Sequence, residues 1–117
     1  MHSNIELLRH IDQELVFLLG QSERTTQDEF LKNDLLTRAF ARSLEIVGEA
    51  VKQLSTEFVL NHPEVEWRRM AGMRDKLIHG YFSVDYSIVW EVVVDKIPSI
   101  HKVVFAILSS GEEIRSQ

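Results

Sequence analysis

Residues 34–54 read DLLTRAFARSLEIVGEAVKQL, and this stretch decides the fold. Leu35, Leu36, Ala39, Phe40, Ser43, Ile46, Val47, Ala50, Val51 and Leu54 recur at the spacing of one helical face. The pattern holds for more than about five turns at 3.6 residues each. Nothing in the chain alternates with period two for long, and no Asn-Gly or Asp-Gly hairpin signal appears. Gly48 lies inside the pattern, at a cost of about 1 kcal/mol relative to alanine. A glycine there predicts that another backbone passes close by.

Working outward toward the N-terminus, Ile5, Leu8, Ile11, Leu15, Leu18 and Leu19 predict a helix over residues 4–19 that Gly20 ends. A polar loop follows over 21–25. Thr26 and Glu29 have the spacing of a capping box, opening a short helix anchored by Phe30 and Leu31. Toward the C-terminus, Thr56 is placed to cap a short helix that His62-Pro63 stops, since the residue before proline disfavours helical dihedrals. Helix resumes near Glu66, carries Trp67, Met70, Met73, Leu77 and Ile78 toward a core, and ends at Gly80. Asp85 caps a helix holding Ile88, Val89, Val92 and Val93. Its β-branched residues make a strand the main alternative, which the helical spacing and the cap outweigh. Pro98 must break or kink that helix, and a last one runs over 99–110 to Gly111. The expected fold is all-α: an up-and-down bundle of four long helices plus short connecting helices, one domain over residues 1–117.

Composition narrows the classes. Of 117 residues, 44% are hydrophobic and 26% charged, with a net charge of -5 and no cysteine. Disulfides, thiolate zinc sites and thiol nucleophiles are excluded, which fits a reducing compartment. No apolar run reaches the roughly 20 residues of a membrane span, and the first residues lack the basic-then-apolar pattern expected of a signal peptide. The expected location is the cytoplasm. The acidic balance argues against a protein that coats DNA. His2, His10, His62 and His101 are scattered without ligand spacing, so no metal site and no cofactor are expected.

One stretch runs against the acidic background. Between positions 68 and 81, Arg68, Arg69, Arg74 and Lys76 face one acid, Asp75, a local net charge of +3 against -8 over the rest. Nearby charges dominate at short range, so this stretch is a candidate anion site. It ends in Arg74-Asp75-Lys76-Leu77-Ile78-His79-Gly80-Tyr81. Cleaving RNA without a metal requires a base for the ribose 2′-hydroxyl, an acid for the leaving oxygen and a cation for the charged phosphorane. Histidine serves in either proton role near neutrality, and arginine's planar fork suits phosphate oxygens. Arg74 and His79 are five residues apart, about 140° around an ideal helix. They share a face only if the helix ends or widens near His79, or if two copies of the chain contribute. Asp75 is four residues from His79, on its face. Residue types alone leave blander readings open: Arg74 in an ion-pair network with Asp75, Glu45 or Glu49, His79 as a helix-terminal cap, Tyr81 packed beside Phe82.

At these residues the chain resembles the HepT-like toxins, a branch of the HEPN superfamily. Their hallmark is arginine, four variable residues, histidine, one residue, tyrosine, and residues 74–81 fit it without a gap. The likeness continues through Phe82, Val84-Asp85 and Val89-Trp90, and upstream through Leu44-Glu45-Ile46-Val47-Gly48-Glu49-Ala50 and residues 67–74. It covers nearly the whole chain, with the first 30 residues alike only in character. One departure is Asp75, where other members carry asparagine.

The resemblance implies a helical bundle that forms a two-fold homodimer with both Arg-His motifs facing one cleft. It implies RNA as substrate, with Arg74 and His79 catalytic; Asp75, which departs from the family, is placed one turn before His79 to support it. It also implies a minimal nucleotidyltransferase as antitoxin, which attaches AMP to Tyr81. The competing reading is a non-catalytic, substrate-binding or regulatory subunit of that transferase. An apolar surplus of Trp67, Phe82, Trp90 and the valine-rich last helices points the same way as the dimer.

Overall fold

In the computed structural model, which describes residues 2–79 and 84–110 (His79 by its backbone alone), the chain is built from seven helices and no strand among those residues. Ser3 opens α1 (Asn4–Ser22), its hydroxyl accepting from the Glu6 amide. There follow α2 (Gln27–Leu31), α3 (Asp34–Gln53), α4 (Thr56–Asn61), α5 (Trp67–His79), α6 (Tyr86–Asp95) and α7 (Ile97–Ser110).

The expected all-α fold is present, with three local differences. Gly20 does not end α1, which runs to Ser22; the Ser22 hydroxyl donates back to the Leu19 carbonyl at 3.0 Å. Ser55, not Thr56, caps α4, accepting from the Phe58 amide at 3.1 Å. Asn4 selects it, because Asn4 both donates to the Ser55 hydroxyl and accepts from the Ser55 amide. The break expected at Pro98 falls at Lys96: α6 stops at Asp95, and α7 begins at Ile97, not at Ser99. Proline then occupies a first turn, where its missing N–H breaks no helical bond. Residues 88–94 are helical, and the Asp85 carboxylate caps them through the Ser87 amide at 3.0 Å.

The core forms where α1 lies antiparallel to α3. Asn4 meets Ser55 at one end and Glu14 meets Ser43 at the other. Leu8, Ile11, Leu15 and Leu18 of α1 are fully buried against Phe40 and Val47 of α3, with Val93, Ile97 and Val104 closing the other side. Short α2 acts as a plug: Phe30 is buried with its ring 4.7 Å from that of Phe40 and 5.2 Å from Trp90. The Thr26–Glu29 capping box is formed in both directions and holds that plug in place. Thr26→Ala is expected to lower stability by about 1 kcal/mol, read as a shift of the urea midpoint with an unchanged slope.

Trp67 fixes the start of α5. Its indole N–H donates to the His62 carbonyl at 2.8 Å, and its ring packs on Phe58 at 5.6 Å. Trp67 and Trp90 are both buried within the single chain, so neither belongs to an apolar surplus that a second copy must cover. The exposed large apolar residues include Leu35, Leu60, Ile88 and Phe105 instead, scattered over four helices.

Candidate active site

The site begins with a crossing of two helices. A methyl group at Gly48 would overlap Arg74 Cβ and sit 2.9 Å from the Met70 carbonyl oxygen. The missing side chain lets the α5 backbone come down on α3, as a glycine inside that helical pattern predicts. Arg74 is thereby set beside the next turn of α3.

Complementary charge secures the contact. Along α3 come Glu49 and Lys52; along α5 come Arg74 and Asp75. Arg74 Nε lies 2.8 Å from Glu49 Oε2, an ion pair at an angle that makes no hydrogen bond. Arg74 Nη1 donates to Asp75 Oδ1 at 3.0 Å, and the same oxygen accepts from Lys52 Nζ at 2.8 Å. The Lys52 hydrogen bond, then that from Arg74, holds the Asp75 carboxyl below the usual carboxylate range. The ion-pair reading of Arg74 is therefore realised, with Glu49 and Asp75 as the partners. Lys52 offsets the charge of Asp75, so the acid that replaces asparagine after the arginine does not stand uncompensated.

The clasp leaves part of the guanidinium unused. Arginine carries five N–H donors, and Nη2 has no partner among the described residues. Arg74 is half-buried and lines a groove of about 410 Å³ between α1, α3 and α5, together with His10, Arg42, Glu49 and Ile78. Fixed on two sides and open on a third, the fork is preorganised for an anion.

The basic stretch of the sequence is not one site in space. Arg69 and Lys76 line a second groove of about 640 Å³, mainly apolar, with Met70, Met73, Ile100 and Val103. Arg69 there pairs with Glu66 at 3.3 Å. Because α5 rests on α3 along Met70 and Arg74, Arg69 and Lys76 fall to the other flank of that contact, where Leu44 and Val47 of α3 also line the groove. The larger groove does not hold Arg74.

The backbone of α5 stays α-helical through His79, so no widened turn precedes it. The His79 side chain and Tyr81 lie outside the described residues. Sequence reasoning missed Lys52, 23 positions from Asp75. Its signal was available: acid then base on one helix, base then acid on the other. Among the described residues no three histidine or acidic side chains gather to hold a metal ion, and no helix is long and apolar enough to cross a membrane.

Comparison with known proteins gives the family. The family described as "Ribonuclease HepT-like" matches residues 4–107. A candidate RNase of Caldanaerobacter subterraneus subsp. tengcongensis is 52% identical over 101 residues, covering 86% of this chain and 90% of that one. A candidate RNase of Methanocaldococcus jannaschii is 46% identical over 87 residues, 74% of this chain and 72% of its own. A Thermococcus cleftensis protein carrying the name ribonuclease HepT is 42% identical over 96 residues, 82% and 78% of the two chains. No solved structure matches.

Proposed function

The chain belongs to the HepT-like ribonuclease family, and from that premise we propose that it is a metal-independent endoribonuclease toxin with Arg74 and His79 as its catalytic groups. The observation that carries the proposal is the Arg74 guanidinium, held by Glu49 and Asp75 at the wall of a groove, with Nη2 unpaired among the described residues.

The reaction follows from the groups. His79 takes the proton of a ribose 2′-hydroxyl, or returns one to the leaving 5′-oxygen. The 2′-oxygen attacks phosphorus, the P–O5′ bond breaks, and the products are a 2′,3′-cyclic phosphate and a 5′-hydroxyl. Arg74 stabilises the dianionic phosphorane, whose charge exceeds that of the ground state, so its hydrogen bonds strengthen as the barrier is climbed. On one helix Arg74 and His79 are about 140° apart. A two-fold homodimer resolves this by setting the arginine of one copy near the histidine of the other across a shared cleft. The enzyme acts on cytoplasmic RNA.

Control falls to Tyr81, two residues beyond His79. A minimal nucleotidyltransferase antitoxin attaches AMP to its hydroxyl, with pyrophosphate leaving ATP. The tethered phosphate then competes for Arg74 at an effective concentration free RNA hardly matches.

Growth on expression of the chain alone tests the proposal. Wild type should arrest growth and His79→Ala should not. Harmless expression of both favours the non-catalytic subunit of a transferase. With the cognate transferase co-expressed, wild type should gain the mass of AMP and Tyr81→Phe should not; equal gain on both removes Tyr81 from this role.

A further inference from the structure

The groove that Arg74 enters continues past it. Its walls include His2 and His10 from α1 and Arg42 from α3, none of which belongs to the Arg-His motif. Arg42 is mostly exposed and spends one nitrogen, Nη1, on Glu45 at 3.3 Å. Its Nε and Nη2 have no partner among the described residues. The His10 ring lies 6.0 Å from that of His2 and makes no hydrogen bond or ion pair among those residues. The antiparallel register, Asn4 with Ser55 and Glu14 with Ser43, sets His10 level with the turn of α3 that carries Glu49. Glu49 is the partner of Arg74. Seven residues separate Glu49 from Arg42, a rise of about 10.5 Å along α3.

Two guanidinium groups with unspent donors therefore line one groove, tied to Glu45 and Glu49 on successive turns of α3, with His10 on the same walls. That is the footprint of a polyanion with regularly spaced charges, not of a single small anion. Cationic side chains set along a groove are one means by which a protein tracks a single-stranded backbone. Glu45 and Glu49 also line the groove. Each is tied to one arginine through a single nitrogen of its fork, and the nitrogens left over are those a phosphate takes.

Resting on the ribonuclease reading, we propose that Arg42, with His10 beside the scissile position, forms a second phosphate subsite that holds the RNA backbone flanking the cut. RNA then lies along α3, between α1 and α5, and the enzyme requires a strand reaching past the phosphate on Arg74.

Fluorescence anisotropy with a labelled twelve-nucleotide single-stranded RNA, titrated at several salt concentrations, tests this. Arg42→Ala should weaken binding about tenfold and make the slope of log affinity against log salt shallower by about 0.7, one phosphate contact fewer. Arg42→Lys should restore the slope, and Arg42→Glu should weaken binding further with circular dichroism unchanged. His10→Ala should weaken binding as well. Wild-type affinity and slope in Arg42→Ala, while wild type binds and cleaves RNA, overturns the subsite and leaves the ribonuclease reading standing. A loss in Arg42→Ala that Arg42→Lys does not repair also overturns it, since the contact is then one of shape and not of charge. Wild type that neither binds nor cleaves RNA overturns the ribonuclease reading, and the subsite with it.

Discussion

Arg74→Ala is expected to lower RNA cleavage about 10³-fold, the loss typical of removing a cation or hydrogen-bond donor that meets transition-state charge. The same substitution should leave the thermal midpoint within a few degrees of wild type. Glu49 and Asp75, which lose their partner, keep side chains about half exposed, 52% and 49%. Water solvates both, and Asp75 keeps Lys52. Exposed ion pairs contribute little net stability. Arg74→Lys should recover only part of the activity, because a point charge cannot hold Glu49, Asp75 and phosphate through one planar fork. Steady-state cleavage beside a melting curve checks both halves. A variant that melts far below wild type would make Arg74 a structural clasp.

The second large effect is expected from a single methyl. Gly48→Ala should lower cleavage about 10²-fold, although position 48 touches no substrate. Alanine is the better helix former by about 1 kcal/mol, but here its Cβ overlaps Arg74 Cβ and crowds the Met70 carbonyl. The atoms that must yield are backbone and Cβ, not the end of a flexible side chain, so α5 has to lift from α3. Overpacking costs about 1–3 kcal/mol, which nearly cancels the propensity gain. Stability should therefore fall by less than about 2 kcal/mol. Activity should fall more, because a displacement of about 1 Å in a catalytic group costs on the order of 10²-fold. Gly20→Ala is the control: no atom lies within 4 Å of its added methyl, and full activity is expected there. If Gly48→Ala cleaves like wild type, the crossing does not position Arg74.

These two positions mark how far the sequence could be read. The long helices were legible from their apolar stripes, and two of the shorter ones also from a cap: Thr26 with Glu29 before α2, Asp85 before α6. The meaning of Gly48 was legible for the same reason, since an uncompensated glycine in a strong helix needs a neighbour. Where a local rule misled, another contact had won. Asn4 chose Ser55 over Thr56 as a cap; at Gly20 the competing contact was local, the Ser22 hydroxyl bonding back to the Leu19 carbonyl. The basic stretch misled in another way. Charges adjacent in sequence pointed to different sides of one helix, so Arg69 and Lys76 serve a different groove from Arg74. Lys52 had a signal in its charge order that was passed over, but His10 and Arg42 were out of reach because the antiparallel register of α1 on α3 and the crossing of α5 bring them to the groove of Arg74. Spacing shows none of that. The motif identified Arg74, and the fold supplied what surrounds it.

The central claim is that side chains of this protein alone cut RNA through its 2′-hydroxyl. Incubating the purified chain with end-labelled single-stranded RNA in excess EDTA, then resolving the product ends, tests it directly. The account predicts undiminished cleavage, fragments with 2′,3′-cyclic phosphate and 5′-hydroxyl ends, and none from His79→Ala or from RNA whose 2′-hydroxyls are methylated. Cleavage abolished by the chelator, or fragments bearing 5′-phosphates, would contradict it.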